Sequence, residues 1–271
     1  MSMKKIIFFL LILFQFVGYV YGQKKDSVSK VKPAFISGSF FESEPSWTED
    51  FNTDGFPNPK YWTARVINKA EELECYTKDS SNVFVKGGNL VLQTIKQHQK
   101  NKEYTSGYVD TYSKQSFLYG KLEVCAKLPT GKGIWPGIWM LSEDRNTYPR
   151  GEIDIMEYID HWKGQSYQVN AHTLINKDDR KQHCGHPRID VTEPQIYGLE
   201  WYKDSLVFTL NHKSVYKYNK DNPDGWPFDK AYYLILNVAY GGWGTINGKV
   251  DDSILPCKMN IDWIKYYKLK D

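Results

Sequence analysis

Short runs in which apolar and polar residues alternate recur along the chain and are separated by turn-forming residues. Alternation places successive side chains on opposite faces of a β-strand, whereas no long stretch repeats with the 3.6-residue period of a helix. The pattern predicts strands at residues 82–85, 89–95, 107–112, 120–128, 151–158, 167–174, 196–202, 206–210, 231–239 and 260–269. Such spacing is typical of an all-β fold, an antiparallel sandwich formed by one domain.

Three polar segments between these strands are predicted to be loops at the rim of the sandwich, at residues 96–104, 177–188 and 219–229. Loops on a rigid scaffold carry much of the selectivity of a binding site. We therefore expect these loops to influence ligand choice.

The first 44 residues differ in composition from the rest of the chain. Residues 1–22 combine early lysines, an apolar run and a small residue before Gln23, a pattern typical of a secretory signal peptide. The apolar run is too short to cross a bilayer, so no membrane span is predicted. Residues 23–44 are predicted to be a flexible tether, and residues 45–271 the globular domain. We expect the chain to be exported to the periplasm, the cell surface or the medium.

Charge and composition narrow the choice of partners. The chain has 35 basic and 32 acidic residues, a formal net charge of +3, and no concentrated basic run. Nucleic acids and anionic membranes both require such a run, so neither partner is predicted. Aromatic residues make up 15% of the chain, including 20 tyrosines and 9 tryptophans, and sugar rings stack on such side chains.

Four cysteines are widely spaced, at positions 75, 125, 184 and 257. An exported chain reaches an oxidising compartment, but four cysteines allow three pairings, and free thiols fit a domain of this size equally well. The run H-C-G-H at 183–186 has no second ligand cluster near it in the sequence, so no metal site is predicted there.

The segment G-E-I-D-I-M-E-Y at residues 151–158 concentrates three carboxylates in a strand-forming run. Alternation places Glu152 and Asp154 on one face and the isoleucines on the other. Glu157 has the opposite parity unless a β-bulge absorbs one extra residue, which we assign to Met156. With that bulge, all three carboxylates face one cleft.

Three acids on one face repel one another and raise one another's pKa values, which disfavours a purely structural role. Glycoside hydrolysis uses two carboxylates in different protonation states, one as nucleophile or base and one as proton donor. The alternative interpretation is a solvated acidic strand.

This segment resembles the active-site strand of glycoside hydrolase family 16, in the subgroup with one extra residue before the second glutamate. The resemblance covers residues 47–267 and includes E-L-E-C-Y-T at 72–77, W-P-G-I-W-M-L at 135–141, Y-G-L-E-W at 197–201 and I-D-W-I-K-Y-Y at 261–267. It implies a β-jelly roll, a sandwich of two curved antiparallel sheets with a substrate cleft across the concave face.

The resemblance also implies the reaction. Glu152 would attack the anomeric carbon, Glu157 would act as general acid and then base, and Asp154 would hydrogen-bond Glu152. The expected activity is that of an endo-acting β-glycosidase that retains the anomeric configuration. No cofactor is required, and the resemblance is compatible with a structural calcium ion as in some family members.

Four further side chains are candidate substrate-binding residues, three by the same resemblance and Trp243 by its position after two glycines. Trp135 and Trp139 would form a stacking wall beside the reacting sugar, and Trp243 would present its ring at a loop tip after two glycines. His172 would hydrogen-bond sugar hydroxyls or Glu157. Core tryptophans, a turn aromatic and a core histidine are the alternative interpretations.

Two departures from the family pattern concern the identity of the sugar. The loop at 65–70 lacks the Gly- and Asn-rich sequence of many β-1,3-glucan hydrolases, and Tyr108 follows Ser-Gly where they often have arginine. Tyr108 is therefore a further candidate contact. We expect a monomer that hydrolyses β-1,3- or mixed β-1,3/1,4-glucan, with endo-β-1,4-galactosidase activity on poly-N-acetyllactosamine, mucin O-glycans or an algal galactan as the alternative. A non-catalytic sugar-binding protein and a transglycosylase are the remaining alternatives.

Overall fold

The structure is a computed structural model that describes residues 40–160, 165–176, 178, 180–220, 225–245 and 248–270. The predicted signal peptide and most of the predicted tether lie outside these residues. Phe41, which we assigned to the tether, is buried, pairs with Leu269 and contacts the ring of Tyr202, so the ordered fold begins before residue 45. Within the described part of the chain, no helix has the length and hydrophobicity needed to cross a membrane.

The described residues form seventeen strands and two short 3-10 turns. The strands are β1 (Trp47–Glu49), β2 (Thr63–Ala64), β3 (Glu74–Thr77), β4 (Val83–Lys86), β5 (Asn89–Gln99), β6 (Lys102–Asp110), β7 (Ser116–Phe117), β8 (Gly120–Lys127), β9 (Ile134–Ser142), β10 (Arg150–Tyr158), β11 (Tyr167–Leu174), β12 (Arg180–Gly185), β13 (Gln195–Trp201), β14 (Ser205–Leu210), β15 (Lys213–Asn219), β16 (Tyr232–Tyr240) and β17 (Cys257–Tyr267). The 3-10 turns are Gly242–Gly244 and Asp252–Ile254.

Two layers of strands pack against each other. In one layer the order is β12, β11, β10, β9, β16 and β6, and all these neighbours are antiparallel. In the other layer β5, β17, β8, β13, β14 and β15 are neighbours, also antiparallel. The β5–β6 pair joins the layers, and β3 pairs with β6 in parallel, an exception to the predicted antiparallel arrangement.

The core between the layers follows from the alternation of each strand. Along β10, Ile153 and Ile155 are buried in the same apolar cluster as Leu199 and Phe208 of the opposite layer. The neighbouring strands β9, β11 and β16 alternate in the same way. Their polar and aromatic residues therefore lie together on the outer face of the β10 layer, where the candidate site forms.

All ten predicted strands coincide with observed strands, but the prediction missed others. All three predicted loops contain strand residues: β5 and β6 run into 96–104, β12 lies within 177–188, and β15 ends at residue 219. β12 is an edge strand with mostly exposed side chains, so it has no apolar face to reveal it. The third loop, 219–229, lies partly outside the described residues.

Strand β9 was missed because it contains Pro136, which argues against a central strand. The pairing with β10 ends at Gly137, so Pro136 has a partner only on β16, at Val238. The absent N–H of the proline therefore leaves no gap in the β9–β10 ladder.

All four cysteines are free thiols. Cys75, Cys125 and Cys257 are buried, and Cys184 is exposed. The fold is therefore held by its core rather than by disulfides, which resolves the alternatives that the sequence left open.

Candidate active site

A β-bulge in β10 brings the three predicted carboxylates to one face. Asp154 pairs with Trp139 of β9 and Met156 with Ile138, so Ile155 is the extra residue on that side. The bulge is confirmed, but our assignment of the extra residue to Met156 was wrong. Both apolar side chains are buried, at 1% and 0% exposure, because the bulge lets them enter the core consecutively.

Glu157 lies in an environment that favours its protonated form. The Nε1 of Trp135 donates to Oε1 at 3.2 Å, and the Nε2 of Gln168 donates to Oε2 at 3.1 Å. Burial, followed by the charges of Asp154 and Glu152, raises the pKa of Glu157 to about 8. The carboxyl group can therefore carry a proton at neutral pH.

Glu152 has a different environment on the same strand. Its side chain is 24% exposed, and the Nη2 of Arg180 lies 3.2 Å from its Oε1. An ion pair of this kind is compatible with an ionised carboxylate. The two glutamates therefore differ in solvent access and in partners, as acid–base catalysis requires.

Asp154 and His172 form a buried pair between the two glutamates. The Nε2 of His172 lies 3.0 Å from Oδ2 of Asp154 and 3.5 Å from Oε1 of Glu152. Burial, and then the charge of Glu152, raises the pKa of Asp154 well above its ordinary value, whereas burial lowers the pKa of His172. Burial therefore disfavours the charged form of each group, and the imidazole of His172 is favoured in its neutral form at neutral pH.

These contacts correct two expectations. Asp154 was expected to hydrogen-bond Glu152, but no such bond joins these two described side chains, and His172 is their common neighbour. His172 was expected to hydrogen-bond Glu157 or the sugar hydroxyls; the residue is 6% exposed, its closest carboxylates are those of Asp154 and Glu152, and its interaction with Glu157 is through charge and not through a hydrogen bond. Asn170 lies beside the same ring, with its Nδ2 2.9 Å from Nε2.

A cavity of about 290 Å³ opens over the carboxylates. It is lined by Lys69, Glu72, Trp135, Gly137, Trp139, Glu152, Asp154, Glu157, Arg180, Asn237 and Ala239. The structure thus brings Trp135 and Trp139 to the same cavity as the three predicted carboxylates.

The tryptophans form an aromatic wall at this cavity. Trp135 stacks on Trp243 with ring centroids 5.3 Å apart and an interplanar angle of 19°. Trp243 is 52% exposed and follows Gly241, whose φ of 98° favours glycine. Trp139 donates from Nε1 to Oδ1 of Asn237 at 2.8 Å, which fixes the orientation of its ring.

Tyr108 does not line the cavity, contrary to our expectation. Its side chain is 8% exposed and packs among buried aromatic residues. It meets Trp139 edge-on at 6.5 Å and Tyr76 at 5.4 Å. Tyr108 pairs with Asn237 across β6 and β16, so it lies on the same face of the layer as the cavity, where its ring packs edge-on against Trp139.

Sequence reasoning missed Lys69, Glu72, Asn237 and Arg180 as cavity residues. Arg180 lies in a segment interpreted as a polar loop, and Asn237 interrupts an otherwise apolar strand. The asparagine could have been found by its parity, because it alternates with buried Leu236 and Val238 and so faces outward with the site.

One group of side chains has a geometry that a metal ion could use. Ligand atoms of Glu152, Asp154 and His172 lie within 4.8 Å of one another, and no other group of this kind occurs within the part of the chain that the structure describes. The Arg180 guanidinium beside Glu152 disfavours a cation there. His183 belongs to the H-C-G-H run, for which no metal site was predicted. Its ring stacks on Tyr218, with ring centroids 4.2 Å apart.

Comparison with known proteins agrees with this geometry. Residues 69–265 match the model of "Glycosyl hydrolases family 16". The chain is 32% identical over 243 residues to a "Beta-glucanase" from Rhodothermus marinus, covering 82% of this chain and 84% of that protein. It is 29% identical over 238 residues to a "Keratan-sulfate endo-1,4-beta-galactosidase" from Sphingobacterium multivorum, covering 82% of this chain and 54% of that protein.

A solved structure shows the same architecture. The laminarinase from Rhodothermus marinus superposes with a TM-score of 0.78 and 29% identity, covering 86% of this chain and all of that one (100%). The chain therefore belongs to glycosyl hydrolases family 16. The predicted jelly roll and the predicted reaction class, endo-acting hydrolysis of glycosidic bonds in a polysaccharide, are confirmed.

Proposed function

We propose that Glu152 and Glu157 carry out a retaining double displacement. The observation that carries this proposal is the contrast between the two side chains: Glu152 pairs with Arg180, whereas burial and two neighbouring carboxylates raise the pKa of Glu157 to about 8. An enzyme of this type needs one ionised and one protonated carboxyl group at the same pH.

In the first step, a carboxylate oxygen of Glu152 bonds to the anomeric carbon while the bond to the glycosidic oxygen breaks. The leaving oxygen receives the proton of Glu157. In the second step, Glu157 takes a proton from water, and the resulting hydroxide displaces Glu152 from the anomeric carbon. His172 lies beside both Asp154 and Glu152, so it would hold the Glu152 carboxylate in position, and Asp154 would fix the imidazole ring. The reaction requires no cofactor.

The favoured substrate is a β-1,3- or mixed β-1,3/1,4-glucan. Support comes from the "Beta-glucanase" and laminarinase relatives. The wall of Trp135, Trp139 and Trp243 offers flat apolar surfaces on which the faces of pyranose rings can stack. We further propose that the protein is exported, in keeping with the pattern of its first 22 residues, and that it acts as a monomer.

A β-galactoside chain is the second candidate. It is favoured by the similarity to a keratan-sulfate endo-1,4-β-galactosidase and by the two departures from the pattern of β-1,3-glucan hydrolases, at residues 65–70 and at Tyr108. The two candidate substrates are built from sugars whose hydroxyl groups differ in orientation. Hydrogen-bonding groups around the cavity would distinguish between these orientations.

The test is digestion of laminarin, barley mixed-linkage glucan, agarose-type galactan and mucin glycans by the purified chain from Gln23 onward, with products identified by mass. Short oligosaccharides from laminarin or barley glucan would support the glucan assignment. Cleavage of galactoside chains alone would transfer the assignment to the second candidate. Glu152→Ala, which should fold normally, is expected to lose all turnover, and wild-type rates in this variant would refute the assigned role.

Two other activities use the same site. A pure sugar-binding protein would bind these chains without releasing products, and a transglycosylase would transfer the cleaved chain to an added oligosaccharide. Product masses with and without a labelled acceptor separate hydrolysis from transfer. Predominant transfer would contradict the proposed hydrolase.

A further inference from the structure

A second cavity of about 200 Å³ lies on the other side of Glu152 from Glu157. It shares Glu152 and Arg180 with the catalytic cavity, and Arg145 and Arg150 contribute two further guanidinium groups to its wall. A group bound there would therefore be close to the sugar that Glu152 attacks.

The positively charged side chains that line this cavity are all arginines. The chain contains 30 lysines and 5 arginines, yet three arginines and no lysine line the cavity. A guanidinium is a planar fork of donors that matches the oxygens of a sulfate or carboxylate, whereas an ammonium is a flexible point charge. Arginine is thus the residue expected where an oxyanion is bound.

Aromatic rings hold two of the arginines in place. Arg145 lies 4.7 Å above the ring of Tyr112 and 4.9 Å from that of Tyr233, and it also hydrogen-bonds the Tyr233 hydroxyl. Arg150 lies 4.1 Å above the ring of Tyr148. Stacking restricts the guanidinium planes, so less conformational entropy is lost when a ligand binds.

One hydrogen-bond donor of an arginine in this wall makes no hydrogen bond within the described structure. The Nε of Arg150 is buried and has no hydrogen-bond partner among the described residues. A buried donor of a charged group without a partner is costly, and binding sites are a common reason to retain one.

The balance of charge favours an anion. Two carboxylates line the cavity, and Glu152 already pairs with Arg180. The carboxylate of Asp144 accepts hydrogen bonds from the backbone N–H groups of Asn146 and Thr147, at 2.9 and 3.2 Å. Three guanidinium groups against two carboxylates leave an excess positive charge, which the hydroxyl groups of a neutral sugar would not balance.

We propose that this cavity binds an anionic substituent, a sulfate ester or a carboxylate, on the glycan that the enzyme cleaves. This inference rests on the proposed retaining glycosidase and names its substrate class: a β-glycan that carries a charged group near the reacting sugar. The enzyme therefore prefers a charged chain to the neutral chain with the same backbone.

Two matched sets of substrates test the proposal. The first is laminarin, laminarin sulfated at C6 and laminarin oxidised to the carboxylate at C6; the second is keratan sulfate and its desulfated form. On the backbone that is cleaved, kcat/KM should be at least tenfold higher for the charged chain, and the sulfate and carboxylate arms identify the group. Equal or higher kcat/KM on the neutral chain would overturn the proposal.

Variants connect that preference to the cavity. Arg145→Gln and Arg150→Gln should each lower the ratio of kcat/KM on charged and neutral chains about tenfold, and Arg150→Lys should restore only part of it because the donor fork is lost. Arg188→Gln, which removes an exposed arginine outside the cavity, is the matched control and should leave the ratio unchanged. The same change of ratio in the control would refute a specific site.

Binding separates this inference from the proposed function. Glu157→Gln should be inactive, and its dissociation constant for the charged chain, measured by calorimetry, should rise about tenfold when Arg145→Gln or Arg150→Gln is added. If no substrate is cleaved but this dependence is found, the catalytic proposal fails and the anion site stands. If cleavage occurs without the dependence, the anion site fails alone.

Discussion

At the scale of single residues, the central feature is that one strand holds two glutamates in different electrostatic surroundings. Glu157 accepts hydrogen bonds from Trp135 and Gln168. Burial and the neighbouring acids nevertheless raise the pKa of its carboxyl group, because their effect is larger than that of these hydrogen bonds. Glu152 is more open to solvent and meets a guanidinium. The proposed roles of the two carboxyl groups, nucleophile and proton donor, therefore follow from their surroundings and not from the residue type.

This difference predicts the alkaline limb of the pH profile. Glu157 must be protonated to donate, so kcat/KM should fall as the pH rises through about 8. The negative charge of Asp154 contributes to the raised pKa of Glu157, so Asp154→Asn should lower that pKa and move the limb to lower pH by roughly one unit. The measurement is kcat/KM on a soluble glycan between pH 5 and 10.

Glu157→Gln provides the control, because it should remove most turnover rather than shift the limb. Asp154→Asn should retain more activity than a change at either glutamate, with a loss of roughly tenfold to a hundredfold. A limb that stays in place in Asp154→Asn would show that Asp154 does not tune the proton donor.

Sequence alone was sufficient to find the three carboxylates, because parity along a strand and the need for a bulge follow from spacing. It could not identify the bulged residue, because Ile155 and Met156 are adjacent and both fit the core. It also could not place Arg180, Arg145 and Arg150 together, because they come from distant segments whose meeting depends on the pairing of β11 with β12 and on the turn before β10.

At the scale of elements, the stacked pair of Trp135 and Trp243 joins β9 to the turn after β16. Within the described residues, Trp243 has no contact with either glutamate. We therefore expect its ring to contribute to binding of the polysaccharide more than to the chemical step. Trp243→Ala is expected to raise KM about three- to tenfold, the loss of about 1 kcal/mol of stacking, with kcat little changed. Steady-state kinetics on the cleaved polysaccharide give both constants.

Phe56→Ala is the matched control, because Phe56 is also an exposed aromatic residue, at 49%, whereas only Trp243 stacks on a tryptophan that lines the cavity. It should leave both constants near wild type. A fall in kcat without a change in KM for Trp243→Ala would place that ring in the catalytic step and contradict this interpretation.

A second acidic pair lies at the start of β3: Glu72 lines the cavity, and Glu74 is the first residue of the strand. Glu74 is fully buried, accepts the backbone N–H of Tyr240 at 2.9 Å, and has an Oε1 without a hydrogen-bond partner within the described structure. Burial, and then the charge of Glu72, raises the pKa of Glu74 to about 8. Glu72 in turn pairs with Lys69 at 2.9 Å.

A raised pKa in the folded state makes stability depend on pH. At a pH below the pKa of Glu74 in the unfolded state, this residue is protonated in both states and does not lower the free energy of unfolding. As the pH rises toward 8, Glu74 loses its proton in the unfolded state only, so the free energy of unfolding falls. Glu74→Gln removes this titration and keeps the acceptor for Tyr240. The excess of its Tm over wild type should be small at pH 5 and larger at pH 8, by roughly 5–10 °C, or about 3 kcal/mol.

Thermal unfolding followed by circular dichroism at the two pH values is the measurement. Glu193→Gln, at an exposed position, controls for the loss of one negative charge and should show no such difference between pH 5 and pH 8. A Glu74→Gln protein that is less stable than wild type at pH 8 would mean that the ionised carboxylate stabilises the fold.

At the scale of the whole molecule, two packed layers give the site its rigidity. Strands inside the layers were predictable because each has one buried face, whereas β12 and β15 at the edges have mostly exposed side chains and no clear alternation. Edge strands carry part of the site: β12 supplies Arg180 to both cavities. Features that set substrate choice are therefore those least visible in the sequence.

The anomeric configuration of the first product tests the account most directly. Proton NMR, recorded within minutes of adding enzyme to the cleaved polysaccharide, distinguishes α from β reducing ends before they equilibrate. Under the proposed mechanism Glu152 forms and then releases a covalent glycosyl intermediate, so two inversions should deliver the β anomer first. Initial appearance of the α anomer would mean a single inversion by activated water, and the assignment of Glu152 as nucleophile would be wrong.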